Sequence, residues 1–210
     1  MHDQYHIQLC QEALGEHFAP QALEAITAAN LRQDGLFTGL VGRPEFHFDD
    51  NKIEESWAYI AEQRQVVIET LKQGAHLEPA WQAFGRLCHC AQDYYSHSNY
   101  IRLWLQHHSP EQLPQVSAFN GLDENILHHP AVFTAKVYYP VEALTYFPIF
   151  RPWARRSLPA DSHAVMNLDE PAMGPLFAFA MEGARQITKQ EYDRITTALT
   201  LAQTARFNGK

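Results

Sequence analysis

His89, Asp93 and His97 stand four residues apart in the run PAWQAFGRLCHCAQDYYSHSNYIRLWLQHH, Pro79 to His108. After Gly85 the run has no glycine and no internal proline, so it reads as one long helix over 79–108. At about 100° per residue, each four-residue step turns the chain by roughly 40°, which stacks the three side chains on one flank. Imidazole, carboxylate and imidazole at that spacing can hold a divalent metal, and the carboxylate in the middle can bridge two. A single i, i+4 His/Asp pair is more often a structural histidine beside a capping or salt-bridging aspartate. The third side chain, His97, and an opposite face of Ala83, Phe84, Leu87, Ala91, Tyr94 and Tyr95 favour metal.

The elements that must position this flank also read as helices. Gln4 to Phe18 shows helical periodicity through Ile7, Cys10, Leu14 and Phe18, and Pro20 to Leu31 shows it again. Gln33 to Asn51 is Gly-rich and irregular and reads as a long loop. Ile53 to Gln73 is a helix with Trp57, Ile60, Val67, Ile68 and Leu71 as its buried stripe. From Ser109 to Pro159 the prolines, Pro110 and Pro148 among them, permit only short helices and loops. Pro171–Thr188 and Gln190–Phe207 read as a final helical pair. No repeat and no alternating strand pattern is present. The expectation is an all-α, single-domain multi-helix bundle over residues 1–210 with a long central metal-binding helix.

Composition narrows the function classes. The 210 residues are 46% hydrophobic and 19% charged, which suits a packed core rather than a disordered chain. A net charge of −8 argues against a surface that coats nucleic acid. Twelve histidines, several beside carboxylates, are compatible with a multi-metal site. Cys10, Cys88 and Cys90 cannot all pair, and Cys88 and Cys90 fall on different helix faces, so free thiols and a reducing compartment are expected. The amino-terminal residues carry no secretory pattern and no apolar stretch is long enough to span a membrane, so the chain reads as cytoplasmic, or secreted if it is a processed form.

The segment LCHCAQDYYSHSNYIRL is similar to the helix of the zinc-dependent phospholipase C and single-strand nuclease superfamily. It is nearest the branch of heterokaryon-incompatibility C-type proteins and the glycosylphosphatidylinositol-specific phospholipase D amino-terminal domain. That branch carries His-x3-Asp-x3-His followed by Ser-Asn and an aromatic, and His89, Asp93, His97, Ser98, Asn99 and Tyr100 repeat it. Weaker matches follow in the family's order: His6 near the first helix start, Asp34 after the second helix, His47 in PEFHFD, and His163 in DSHAVMNLD. Alone, each has an ordinary reading as a surface, turn, packed-loop or capping residue.

The resemblance implies the phospholipase C type of helical fold and two or three zinc ions. Asp34, His47, His89 and Asp93 would hold the first. His97 and His163 would hold the second with a further oxygen, Asp169, or else Asp161 or Asn167. His6 and a bridging Asp93 would hold the third. Secreted bacterial members complete that site with an amino-terminal tryptophan. Met1 stands there in this sequence, with His2 one turn before His6 as a substitute ligand, or the third site is weak or empty. The implied activity is phospholipase C-like hydrolysis of a phosphodiester by zinc-activated water, with Asp34 as both ligand and proton acceptor. Phospholipid or another small phosphodiester is the expected substrate, with peripheral membrane contact and no extended nucleic-acid binding. The apolar segment Val132 to Trp153 is either a wall beside the metals or ordinary core, with Arg151, Arg155 and Arg156 available to a phosphate. The competing readings are a single-strand nuclease and a non-enzymatic, metal-stabilised incompatibility or interaction protein.

Overall fold

A computed structural model describes residues 1–35, 42–74, 76–106, 108, 112–147 and 149–210. The Gly-rich centre of the expected loop (36–41), Pro110 and Pro148 lie outside the described residues. The helices are α1 (Asp3–Leu14), α2 (Pro20–Leu31), α3 (Ile53–Gln73), α4 (Glu78–His97) and α5 (Tyr100–Leu105), then α6 (Glu124–Leu127), α7 (Arg151–Ser157), α8 (His163–Met166), α9 (Phe177–Thr197) and α10 (Leu201–Phe207). Short 3-10 turns join several of them, and two isolated β-bridges occur with no strand among the described residues. The chain is all-α.

Local chemistry explains the boundaries. Pro20 opens α2 at a position where its missing N–H leaves nothing unpaired. Gly74 ends α3 in the left-handed region, at φ 70°. Around α4, the helices α2, α3 and α9 pack together, and α1 lies on α2 and α9. From Ala80 to His97 every residue of α4 except Gln82 and Arg86 is buried, as expected of a helix with partners on all sides. Fully enclosing side chains such as Phe84 and Leu87 contributes about 1.5–3 kcal/mol each. Gly85 is inside this helix, not at its edge. A Cβ there would run into the Ile26 carbonyl and come within 2.7 Å of the Ala29 Cβ, so only glycine lets α2 and α4 cross this closely.

Besides α1, which ends at Leu14 rather than at Phe18, two expected boundaries move. The helix over 79–108 stops at His97, because tertiary partners take its next backbone groups. Ala135 N–H donates to the His97 carbonyl (2.8 Å), Asn99 N–H donates to the Phe133 carbonyl (3.1 Å), and Ser98 pairs antiparallel with Thr134. Ser98 Oγ then accepts the Tyr100 N–H at 3.3 Å as α5 starts. The final helical pair divides at residues 198–200 rather than at Lys189. The buried stripe Ala180, Ala184, Ile187, Glu191 and Ile195 carries α9 through that point, and Thr200 with Gln203 forms a capping box that starts α10. Pro171–Met173 is a separate 3-10 turn.

Candidate metal centre

The carboxyl end of α4 gathers side chains from five places. His6 comes from α1, Asp34 from the 3-10 turn after α2, His47 and Asp49 from the loop before α3, and His163 from α8. His89, Asp93 and His97 come from α4 itself. Asp34, His47 and His89 each offer a ligand atom within 4.8 Å of the others, as do His6, His89 and Asp93, and Asp49, His97 and His163. These buried groups can hold metal ions.

Asp93 is the hinge of the cluster. Its Oδ2 lies 3.1 Å from both His47 Nδ1 and His89 Nε2. Asp34 Oδ1 closes the same group at 3.5 Å from His89 Nε2 and 3.8 Å from His47 Nδ1. The other oxygen, Oδ1, faces His6 Nε2 at 3.4 Å and the Met1 amino group at 2.9 Å. Burial opposes charge on Asp93, but the Met1 amine, with His97, outweighs it and holds the carboxyl well below its usual range. Burial keeps His89 well below an ordinary histidine, so its imidazole is the neutral form that donates a lone pair. Asp34 moves the other way: burial and then the Asp93 charge push its carboxyl up.

The second histidine of the flank has a carboxylate that the spacing alone does not single out. Asp49 Oδ1 lies 3.1 Å from His97 Nδ1, and Asp49 Oδ2 is 4.0 Å from His163 Nε2. Asp169 Oδ1 approaches from the other side, 3.3 Å from His97 Nε2. Asp49 sits in a contorted loop: Phe48, Asp50 and Asn51 all have positive φ, near 55°. For a residue as bulky as phenylalanine this is an unusual conformation that its surroundings must impose. Phe48 is fully buried against Trp57 and Tyr94. Asp50 and Asn51 are tied to the 134–137 segment, Asp50 N–H to the Ala135 carbonyl (2.7 Å) and Asn51 N–H to Thr134 Oγ1 (2.9 Å). That same segment takes the His163 N–H at the Lys136 carbonyl (2.8 Å). One strap therefore joins the end of α4, the Asp49 loop and α8.

A buried amide chain fixes the ring orientations. Thr188 gives its hydroxyl proton to the Ala184 carbonyl (2.7 Å), so its oxygen accepts from Gln92 Nε2 (3.0 Å). Gln92 Oε1 then accepts from Asn30 Nδ2 (3.1 Å) and His6 Nδ1 (2.7 Å). Asn30 Oδ1 is left to accept from His89 Nδ1 at 3.2 Å. Both rings thus carry their proton on Nδ1 and turn Nε2 toward Asp93. His97 donates Nδ1–H to the His47 carbonyl (2.7 Å), with the same result.

A family model described as the VWA7 N-terminal domain matches residues 3–120. The chain belongs to that family. No curated protein and no solved structure matches it. The region matched to the VWA7 N-terminal domain contains His6, Asp34, His47, Asp49 and the whole α4 flank, while His163 and Asp169 lie beyond it.

Within this VWA7 N-terminal domain chain, three expectations change. His2 is not a substitute ligand: its ring is 57% exposed and lies 3.7 Å from Glu170, and the Met1 amine occupies the place beside Asp93. Asp161 is outside the cluster, bound to the Tyr138 hydroxyl (2.9 Å) and Lys136 (3.3 Å). In the 132–153 segment Val132 is part of the core, but most of the aromatic side chains are neither wall nor core. Tyr139, Phe147, Ile149, Phe150 and Trp153 face solvent, whereas the cavity of ≈ 490 Å³ beside the candidate metal ligands is lined from this segment by Glu142, Thr145 and Arg151. Asn167 and Asp169 both line that cavity. All three cysteines are free and buried. No helix among the described residues is long and apolar enough to cross a membrane.

Proposed function

We propose that this chain is a zinc-dependent phosphodiesterase with the phospholipase C type of helical fold, acting on phospholipid or another small phosphodiester. The observation that carries the reading is Asp93, a fully buried carboxylate whose two oxygens face different imidazoles, behind a cavity that Asp34, His47 and His97 line. The donor set is nitrogen and oxygen only, which suits zinc. Buried His6 Nε2, which faces Asp93, has no hydrogen-bond partner, as expected of a ring shaped to bind an ion. Asp34, His47, His89 and Asp93 would hold one zinc; His97, His163 and Asp49, with Asp169 beside them, a second; and His6 with Asp93 a third. Bound zinc supplies an activated water near neutral pH and stabilises charge on the phosphoryl oxygens.

The chain's own groups divide the remaining work. Asp34 has a partly exposed carboxyl with raised proton affinity, so it can take a proton at the cavity while still facing His47 and His89. Asn30, Gln92 and the His47 carbonyl keep the ligand rings in the required tautomer. The acidic cavity favours a small substrate over a polyanion, and the exposed Phe147, Ile149 and Trp153 give an apolar edge suited to peripheral contact with a phospholipid surface.

The test is zinc content after dialysis, followed by assays on short-chain phosphatidylcholine, phosphatidylinositol and single-stranded DNA, each with zinc and with chelator. At least two zinc equivalents and zinc-dependent lipid turnover are expected. Cleavage of DNA alone would make the chain a nuclease, and no turnover by fully loaded protein would end the enzymatic reading.

A further inference from the structure

Arg151 and Arg155 stand four residues apart on α7 and line the cavity that also contains Asp49, His97 and His163. Arg151 spends Nε on the Thr145 carbonyl (2.9 Å). Arg155 spends Nε on the Ala164 carbonyl (2.9 Å) and places Nη2 2.9 Å from the Met173 sulfur. Among the described residues, no carboxylate lies within ion-pair distance of either guanidinium. The nearby acid on the same wall is already committed: Glu142 Oε1 accepts the Ala164 N–H (2.5 Å) and its Oε2 accepts the Tyr138 N–H (2.7 Å). Ala164 is the second residue of α8, so Arg155 is tied directly to the helix that presents His163.

Asn167 supplies a second, independent observation. It follows α8, is 1% exposed and lines the same cavity, yet neither Oδ1 nor Nδ2 of its carboxamide has a partner. A buried amide without partners is destabilising unless something that enters the site satisfies it. With Asp49 and Asp169 beside His97, the proposed metal sets need neither Asn167, the substitute oxygen donor of the sequence reading, nor the two arginines. Two guanidiniums without an ion-pair partner and a waiting amide, in a cavity where Glu142 is spent on backbone N–H groups and Glu170 faces His2, offer the donors that an anion needs. Guanidinium forks are well matched to phosphate or carboxylate oxygens.

We propose that Arg151, Arg155 and Asn167 form a subsite for a second anionic group, separate from the phosphodiester that the metal ligands would take. The substrate class is then a phosphodiester whose head group is itself phosphorylated or carboxylated, in preference to a neutral or zwitterionic one. The place of the scissile group rests on the phosphodiesterase reading; the anion subsite does not.

The experiment uses the full zinc-loaded chain and two matched pairs that differ by one phosphate. Calorimetry compares inositol 1-phosphate with inositol 1,4-bisphosphate, and steady-state assays compare dioctanoyl phosphatidylinositol with its 4-phosphate. The wild type should favour the extra phosphate by about tenfold or more in at least one pair, and the pair that shows it tells a free anion from a lipid head group. R151Q and R155Q should each erode that preference, and Asn167→Asp should weaken it by placing a like charge in the subsite. Equal behaviour within both pairs in the wild type, or a preference that survives in the R151Q/R155Q double variant, overturns the subsite. Absence of lipid turnover would defeat the phosphodiesterase reading alone, because the calorimetric comparison still decides whether the anion is bound.

Discussion

Asp49 Oδ1 lies 3.1 Å from Nδ1 of His97, so the loop that brings His47 to the cluster brings a second acid two residues later. The positive φ of Phe48 makes this possible by turning the chain between His47 and Asp49. Asp49, His97 and His163 each offer a ligand atom within 4.8 Å of the others, so Asp49→Ala should remove the same ion as His163→Ala, and Asp34→Ala a different one. Zinc equivalents measured for the three single variants and for Asp49→Ala/His163→Ala test the grouping. A double variant that loses one more ion than either single variant would separate Asp49 from the His163 centre.

Asp93→Asn should be the most damaging ligand change. One substitution alters an oxygen facing His47 and His89 and another facing His6, so two shells weaken together. The expected outcome is loss of more than one zinc equivalent and a larger fall in Tm than for His163→Ala. Loss of a single ion by both variants would deny Asp93 its bridging place.

The bounds of α2 and α3 were legible because local signals set them, Pro20 at the first turn of one and Gly74 after the last residue of the other. The α4 flank was legible from its four-residue spacing, and it presents His89, Asp93 and His97 to one cluster. Asp49 was harder to read, since its role depends on the left-handed turn at Phe48, which phenylalanine rarely makes unaided. The end of α4 at His97 was also hidden by tertiary pairing with the 133–135 segment, although Ser98 and Asn99 are residues that favour helix starts. Asn30, Gln92 and Thr188 carry no sequence signature at all. They become meaningful only when α2, α4 and α9 meet.

Gln92→Leu should lower metal affinity although Gln92 touches no metal-facing atom. The change removes the acceptor that holds protons on His6 Nδ1 and, through Asn30, on His89 Nδ1. Loss of such a partner commonly weakens metal binding about 10–100-fold. Gln92→Glu keeps an acceptor in place and should retain most of the affinity. The visible spectrum of cobalt-substituted protein gives a readout that packing damage alone would not mimic: it should shift for Gln92→Leu and stay near wild type for Gln92→Glu. Identical spectra in all three proteins would reduce the amide chain to a packing role.

Asp34→Asn should separate binding from stability. Burial and the Asp93 charge raise the Asp34 carboxyl above its ordinary value of 3.8 in the folded chain. The sign follows from linkage. A folded-state pKa above the unfolded one favours folding while the group is protonated, and that advantage is lost as pH rises through the folded value. At neutral pH the ionised Asp34 of the metal-free chain is therefore a net burden, and a neutral amide of the same shape relieves it. Metal-free Asp34→Asn should melt a few degrees above metal-free wild type at pH 7. The difference should shrink as pH falls through the raised folded-state value and be largely gone below about pH 4, as the wild-type carboxyl becomes protonated in both states. The same variant should bind less zinc, because an amide is a poorer ligand than a carboxylate. Parallel melting curves at several pH values, with and without zinc, measure both effects. A metal-free variant less stable than wild type at pH 7 would show that Asp34 contributes to the fold directly, and would remove the strain that suits it to accept a proton.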